Sequence, residues 1–207
     1  MKRLLLASFG VGALPELVDG DVAGLRLAFV PTAAGPEAED KEWVRVDRRQ
    51  LEALGCSLST LDLAAVEADE LAAALGEVDG VFLTGGNSYL LLWHARRSGF
   101  AGRVVPLVER GQLLYAGTSA GAMVAGPDLG PAANLDNRRE VPELESSAAF
   151  GLAPFTVLPH DNLPEARALH DEIEAAHPST RFVRLRDGKA VLVRGDVTEV
   201  VDSALVA

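Results

Sequence analysis

The chain has 207 residues, 48% of them hydrophobic, enough for a single α/β domain with a sizeable core. Its formal net charge of -11 repels a phosphate backbone and excludes nucleic acid as an expected partner. No apolar stretch approaches the roughly 20 residues that span a bilayer, so no membrane association is expected.

The single cysteine, Cys56, permits no internal disulfide and suits a reducing cytoplasm. No Cys/His cluster has zinc-site spacing, and neither a metal nor another cofactor is expected. The N-terminal MKRLLLASFG begins with a short basic region before an apolar run, but Gly10, Gly12 and Pro15 break that run. Arg3–Phe9 therefore reads as a first buried strand and not as an export signal.

From there, short apolar runs alternate with longer segments of helical period. The alternation predicts a mostly parallel sheet covered by helices, a three-layer α/β sandwich in one domain over residues 1–207. In chain order the elements are a strand Leu25–Pro31, helices Ala38–Leu54 and Glu67–Leu75, a strand Gly80–Leu83, and helices Ser88–Ser98 and Gly102–Glu109. A strand Leu113–Ala116, a helix Ala120–Ala125, a strand Phe155–Leu158, a helix Pro164–Ala176, and strands Phe182–Leu185 and Ala190–Arg194 follow. Most of these strands are continuous apolar runs, as strands buried on both faces must be. Asp187-Gly188 and Arg194-Gly195-Asp196 are turn signals that predict a terminal hairpin or meander. Between Gly126 and Gly151 the chain is polar, carries three prolines and lacks a strong period. Long irregular connections of this kind are often functional.

The segment Gly117-Thr118-Ser119-Ala120-Gly121 follows an apolar strand and precedes a small-residue helix. Strand, tight turn and helix are the context of a nucleophilic serine, and small neighbours relieve the crowding at such a turn. Ser119 would stand at a helix N-terminus, and the Ala120 N–H would face a developing oxyanion. A structural turn or an N-cap serine gives the same local pattern. Thr84-Gly85-Gly86-Asn87 is a second strand end running into a glycine pair. Gly86 could supply the other oxyanion N–H, and Asn87 could hold substrate or cap the next helix. Of four histidines, His94, His170 and His177 lie in or at the end of helical stretches. His160 closes the run Phe155–Leu158 after Pro159, at the same strand edge as Ser119 and Gly86, and is the base candidate by elimination. The carboxylate that orients it is open among Asp136, Glu140, Glu143 and Glu145, while Asp161 would point elsewhere.

Thr84-Gly85-Gly86-Asn87, Gly117-Thr118-Ser119-Ala120-Gly121-Ala122 and Leu158-Pro159-His160, in that order, resemble peptidase E, the aspartyl dipeptidase family of serine peptidases. The resemblance covers most of the chain. It implies a fold related to class I glutamine amidotransferases, with serine in place of cysteine, and hydrolysis of small peptides with an N-terminal aspartate. It implies an acid in an Asn-Asp segment after the serine helix. Asn134-Leu135-Asp136 is the nearest match, its inserted Leu135 leaving Glu143 as the alternative. It implies an arginine in the helix after the histidine that grips the substrate carboxylate, and Arg167 is the positional match. Asp161 follows His160 where the family commonly has an aromatic residue. Dimers are compatible with the family.

Two other readings fit parts of the pattern. An α/β-hydrolase esterase shares the order serine, acid, histidine, but the interval from Ser119 to His160 is short for it and no His-Gly-Gly motif is present. A non-catalytic amidotransferase-like binding module fits the fold but not the retention of serine, histidine and glycine pair together.

Overall fold

The structure is a computed structural model that describes residues 1–206. Its strands are β1 (Arg3–Ala7), β2 (Arg26–Val30), β3 (Ser57–Thr60), β4 (Gly80–Leu83), β5 (Leu114–Thr118), β6 (Thr156–Leu158), β7 (Phe182–Arg184), β8 (Lys189–Arg194) and β9 (Val197–Asp202). Its α-helices are α1 (Leu14–Leu17), α2 (Glu42–Ala53), α3 (Ala68–Gly76), α4 (Ser88–Arg97), α5 (Phe100–Glu109), α6 (Ala120–Met123) and α7 (Pro164–Ala176).

Seven strands form one sheet in the order β3-β2-β4-β5-β1-β8-β9. The first five are mutually parallel, and β8 and β9 add antiparallel at the β1 side. The pleat sends alternate side chains to opposite faces. Leu4 and Leu6 of β1 join a core with α3, α4, α5 and α6, whereas Leu5 and Ala7 join a second core with α1 and α2. Both faces are buried, which is why β1, β2, β4 and β5 read as unbroken apolar runs. The expected mostly parallel α/β architecture is the one observed.

The differences have local causes. The sequence gives no sign of β3, because its residues Ser-Leu-Ser-Thr form a mostly exposed edge strand with no apolar run to detect. The single helix expected over Ala38–Leu54 is a 3-10 turn, Ala38–Asp40, followed by α2, with Lys41 extended between them. The run Phe155–Leu158 was expected in the main sheet. It forms β6, which instead pairs in parallel with β7 in a separate two-stranded sheet. Both edges of β1 are already taken by β5 and β8, so no place beside it remains. The polar segment after α6 packs on α4, where the Arg96 guanidinium donates to the Ser146 and Ala148 carbonyls and Val141 and Leu144 are buried.

Helix α6 is pressed onto the sheet. A Cβ at Gly121 would lie 2.1 Å from the Leu83 carbonyl oxygen, and one at Gly117 would lie 2.6 Å from the Gly121 carbonyl carbon. Only glycine fits this approach. Gly121→Ala is expected to lose about 1–3 kcal/mol of unfolding free energy through overpacking, read as a lower urea midpoint at unchanged slope.

Candidate active site

Strand β5 ends at Thr118, and the chain turns at Ser119 into α6. Ser119 has φ 46° and ψ −109°, a strained conformation for a residue with a side chain. Its N–H donates to the carbonyls of Ala7 and Ser8, at 2.9 and 3.1 Å, so the end of β1 fixes the turn. As the first helical residue, Ala120 has an N–H with no intrahelical acceptor.

The second strand end, after β4, places Gly85 and Gly86 beside it. A Cβ at Gly85 would stand 3.3 Å from Ser119 Cβ, so the glycine backbone borders the serine directly. Gly86 has φ 142°, and a Cβ there would meet the Ala33 carbonyl oxygen at 2.1 Å. Asn87 is the cap of α4: its Oδ1 accepts from the Tyr89 and Leu90 N–H groups, and its Nδ2 donates to the Asn137 carbonyl and to Glu140 Oε2.

His160 arrives from the end of β6. Its Nε2 is 3.0 Å from Ser119 Oγ, and its Nδ1 is 2.8 Å from Asp187 Oδ1. With the proton on Nδ1, the bonded carboxylate leaves Nε2 as an acceptor for the serine hydroxyl. His160 also has a positive φ, 63°. Its N–H donates to Ser8 Oγ at 2.8 Å, while the Ser8 hydroxyl donates to Asp187 Oδ1 at 2.7 Å. Asn162 completes the cradle: its Nδ2 donates to Asp187 Oδ2 and its Oδ1 accepts the Asp187 N–H. Burial works against the charge of Asp187. The Ser8 hydroxyl, the charge and hydrogen bond of His160, and Asn162 outweigh it and hold this carboxyl below its ordinary range.

The structure therefore brings together Ser119, His160, Gly86 and Ala120, and it places Asp187 behind the histidine where Asp136 was expected. Asp136 Oδ2 instead accepts from the N–H and hydroxyl of Ser88, at 2.9 and 2.5 Å, at the start of α4. Burial pushes its carboxyl up despite those bonds. The alternative, Glu143, lies in a groove with Trp93, Arg96 and Arg97, away from the histidine. Arg167 is exposed on α7, and its guanidinium donates to the Asp161 carbonyl. Asp161 turns from His160 toward His170 and Arg184.

Sequence reasoning missed Asp187, Ser8 and Asn162. Asp187 is the Asp of the Asp-Gly turn before β8, and Ser8 is the one polar residue in the first apolar run. Two cavities flank Ser119 and His160. One, of about 300 Å³, runs under Phe9, Trp43, Asp47 and the glycine pair. The other, of about 390 Å³, lies along α7 against Leu135, Asp136, Leu163, Glu165 and Ala166. Asp47 is buried, its Oδ2 accepts from Thr118 Oγ1 at 2.7 Å, and burial pushes its carboxyl up to about 7. Among the described residues no group of three His, Cys, Asp or Glu side chains could hold a metal, and no helix is long and apolar enough to cross a membrane.

A depressed carboxyl adds stability above its unfolded-state pKa and loses it as pH falls through the folded-state value. Ser8→Ala removes one of the bonds that depress Asp187. The variant is expected to be less stable than the parent at pH 7, with the gap in urea midpoint narrowing as both carboxyls protonate below about pH 4.

The chain resembles known proteins along nearly its whole length. Peptidase E of Streptomyces coelicolor is 34% identical over 211 residues, covering 95% of this chain and 82% of that protein. The Drosophila melanogaster protein named "probable alpha-aspartyl dipeptidase" is 31% identical over 132 residues, 59% of this chain and 53% of that one. A crystal structure of a peptidase E candidate from Listeria monocytogenes EGD-e superposes with a TM-score of 0.88 at 27% identity, covering 98% of both chains. The profile of peptidase family S51 matches residues 13–201, and this chain belongs to that family of peptide hydrolases.

Proposed function

We propose that the chain is a serine dipeptidase that acts on small peptides with an N-terminal aspartate, through an acyl-enzyme on Ser119. The observation that carries the proposal is the relay from Ser119 Oγ to His160 Nε2 and from Nδ1 to Asp187, at 3.0 and 2.8 Å. The strained turn of Ser119 is a nucleophile elbow that presents the hydroxyl at the sheet edge.

Ser119 Oγ attacks the scissile carbonyl carbon as its proton passes to His160 Nε2. Asp187 stabilises the imidazolium, and the Gly86 and Ala120 N–H groups face the oxyanion. The intermediate collapses with cleavage of the C–N bond, and His160 hands its proton to the leaving amine. Water, deprotonated by the same imidazole, then cleaves the ester and frees the serine. No step calls on a metal or cofactor. The aspartate preference rests on the family and on the names its relatives carry. In this reading the acyl residue lies in the cavity along α7, and Arg167 exchanges the Asp161 carbonyl for the substrate carboxylate. A buried lone thiol at Cys56 is consistent with a cytoplasmic setting.

Release of aspartate from Asp-Leu and of nitroaniline from Asp-p-nitroanilide tests the assignment. Ser119→Ala is expected to lose about a thousandfold or more in kcat, and equal turnover by the two proteins would remove Ser119 as nucleophile. Asp187→Asn should lower kcat by about 10³–10⁴-fold, whereas Asp136→Asn should cost far less, since Asp136 bonds Ser88 and not the imidazole. Arg167→Ala should raise KM for Asp-Leu more than it lowers kcat, and an unchanged KM would take Arg167 out of substrate recognition.

A further inference from the structure

Asp47 is a carboxyl group that the chemistry above does not use. It stands on α2 one turn after Trp43, is 1% exposed, and lines the cavity under the glycine pair. Thr118 satisfies its Oδ2, while Oδ1 has no partner among the described residues. Leaving one oxygen of a buried carboxyl unbonded is costly unless a partner arrives from outside. The nearby cations of α2 are committed elsewhere: Arg48 pairs with Glu39 and Arg49 with Glu42. Phe9 and Trp43 line the cavity, where an aromatic side chain can also attract a cation, and Asp187 adds a second carboxyl group. A cationic group entering here would donate to Oδ1 and supply its missing partner in a site of low dielectric, where the pairing is strong.

We propose that this cavity receives the leaving residue of the peptide and that Asp47 selects a lysine or arginine side chain there. The choice of side rests on the dipeptidase reading, in which the acyl residue lies along α7. The two cavities share Ser119 and His160, so a peptide whose acyl residue occupies one extends its leaving residue into the other. The aliphatic stem of the side chain lies against Trp43, and its charged end points to Asp47.

Steady-state hydrolysis of Asp-Lys, Asp-Arg and Asp-norleucine by the full chain tests this, with Ala-Lys and Ala-norleucine alongside. Norleucine matches the lysine stem without its charge. The expected result is a kcat/KM for Asp-Lys and Asp-Arg about tenfold or more above Asp-norleucine, carried by KM. Asp47→Asn keeps the shape and an acceptor for Thr118, and should bring that ratio to within about twofold. Equal kcat/KM for Asp-Lys and Asp-norleucine in the unmodified chain would overturn the proposal, whether or not the variant folds. A persistent lysine preference in folded Asp47→Asn would also overturn it. Cleavage of Ala-Lys ahead of Ala-norleucine, with no turnover of any Asp peptide, would instead sink the aspartate reading and leave Asp47 as the selector of the leaving residue.

Discussion

The Ser8 hydroxyl is the joint on which the candidate site depends. It accepts the His160 N–H and donates to Asp187, while the Ser8 carbonyl accepts the Ser119 N–H. One residue at the end of β1 thus touches all three partners of the relay. This placement is available only because β1 is central, paired with β5 on one side and β8 on the other. Ser119 and His160 both hold positive φ, and such conformations persist only when the surroundings over-determine them. The bonds around Ser8, with the glycine packing of α6 on β4, supply that determination.

The three aspartates that line the two cavities sit in different environments, and environment separates their behaviour. Asp187 accepts bonds from a serine, a histidine and an asparagine and is held ionised. Asp136 is bonded by Ser88 yet burial still pushes its carboxyl up. Asp47 is the most deeply buried, and Thr118 alone does not compensate. Only the first of these lies behind an imidazole. In an acidic chain, the carboxyl nearest in sequence to an expected motif is therefore a poor guide to the one that matters. The partners decide.

Much of this arrangement is legible in the residues. Strand, small-residue turn and helix around Ser119, and strand and glycine pair at Gly86, are local patterns whose geometry follows from crowding at a strand end. His160 could be reached by elimination, since the other three histidines lie in or beside helices. Its sheet could not be read, because pairing depends on which edges of β1 are free, and β8 claims one of them from far along the chain. The carboxylate bonded to His160 is not legible for a related reason. Asp187-Gly188 is a sufficient turn signal in itself, so nothing local marks the aspartate as a partner of a histidine 27 residues earlier. Ser8 was hidden inside an apolar run, where a single hydroxyl looks like strand filler. Asp136 drew attention through its motif and proved to be bonded to the first residue of α4.

The long span of the Ser8–Asp187 bond, 179 residues along the chain, has a consequence for biosynthesis. While the chain is still being made, the serine turn and its glycine neighbours are complete well before Asp187 and β8 have left the ribosome. Until β8 adds to β1, the histidine has neither its carboxylate nor the finished frame that holds its backbone. A nascent or prematurely terminated chain that lacks Asp187 therefore carries Ser119 beside a histidine without its carboxylate partner. The candidate site is therefore assembled from both ends of the chain, and its geometry is complete only once β8 has paired with β1.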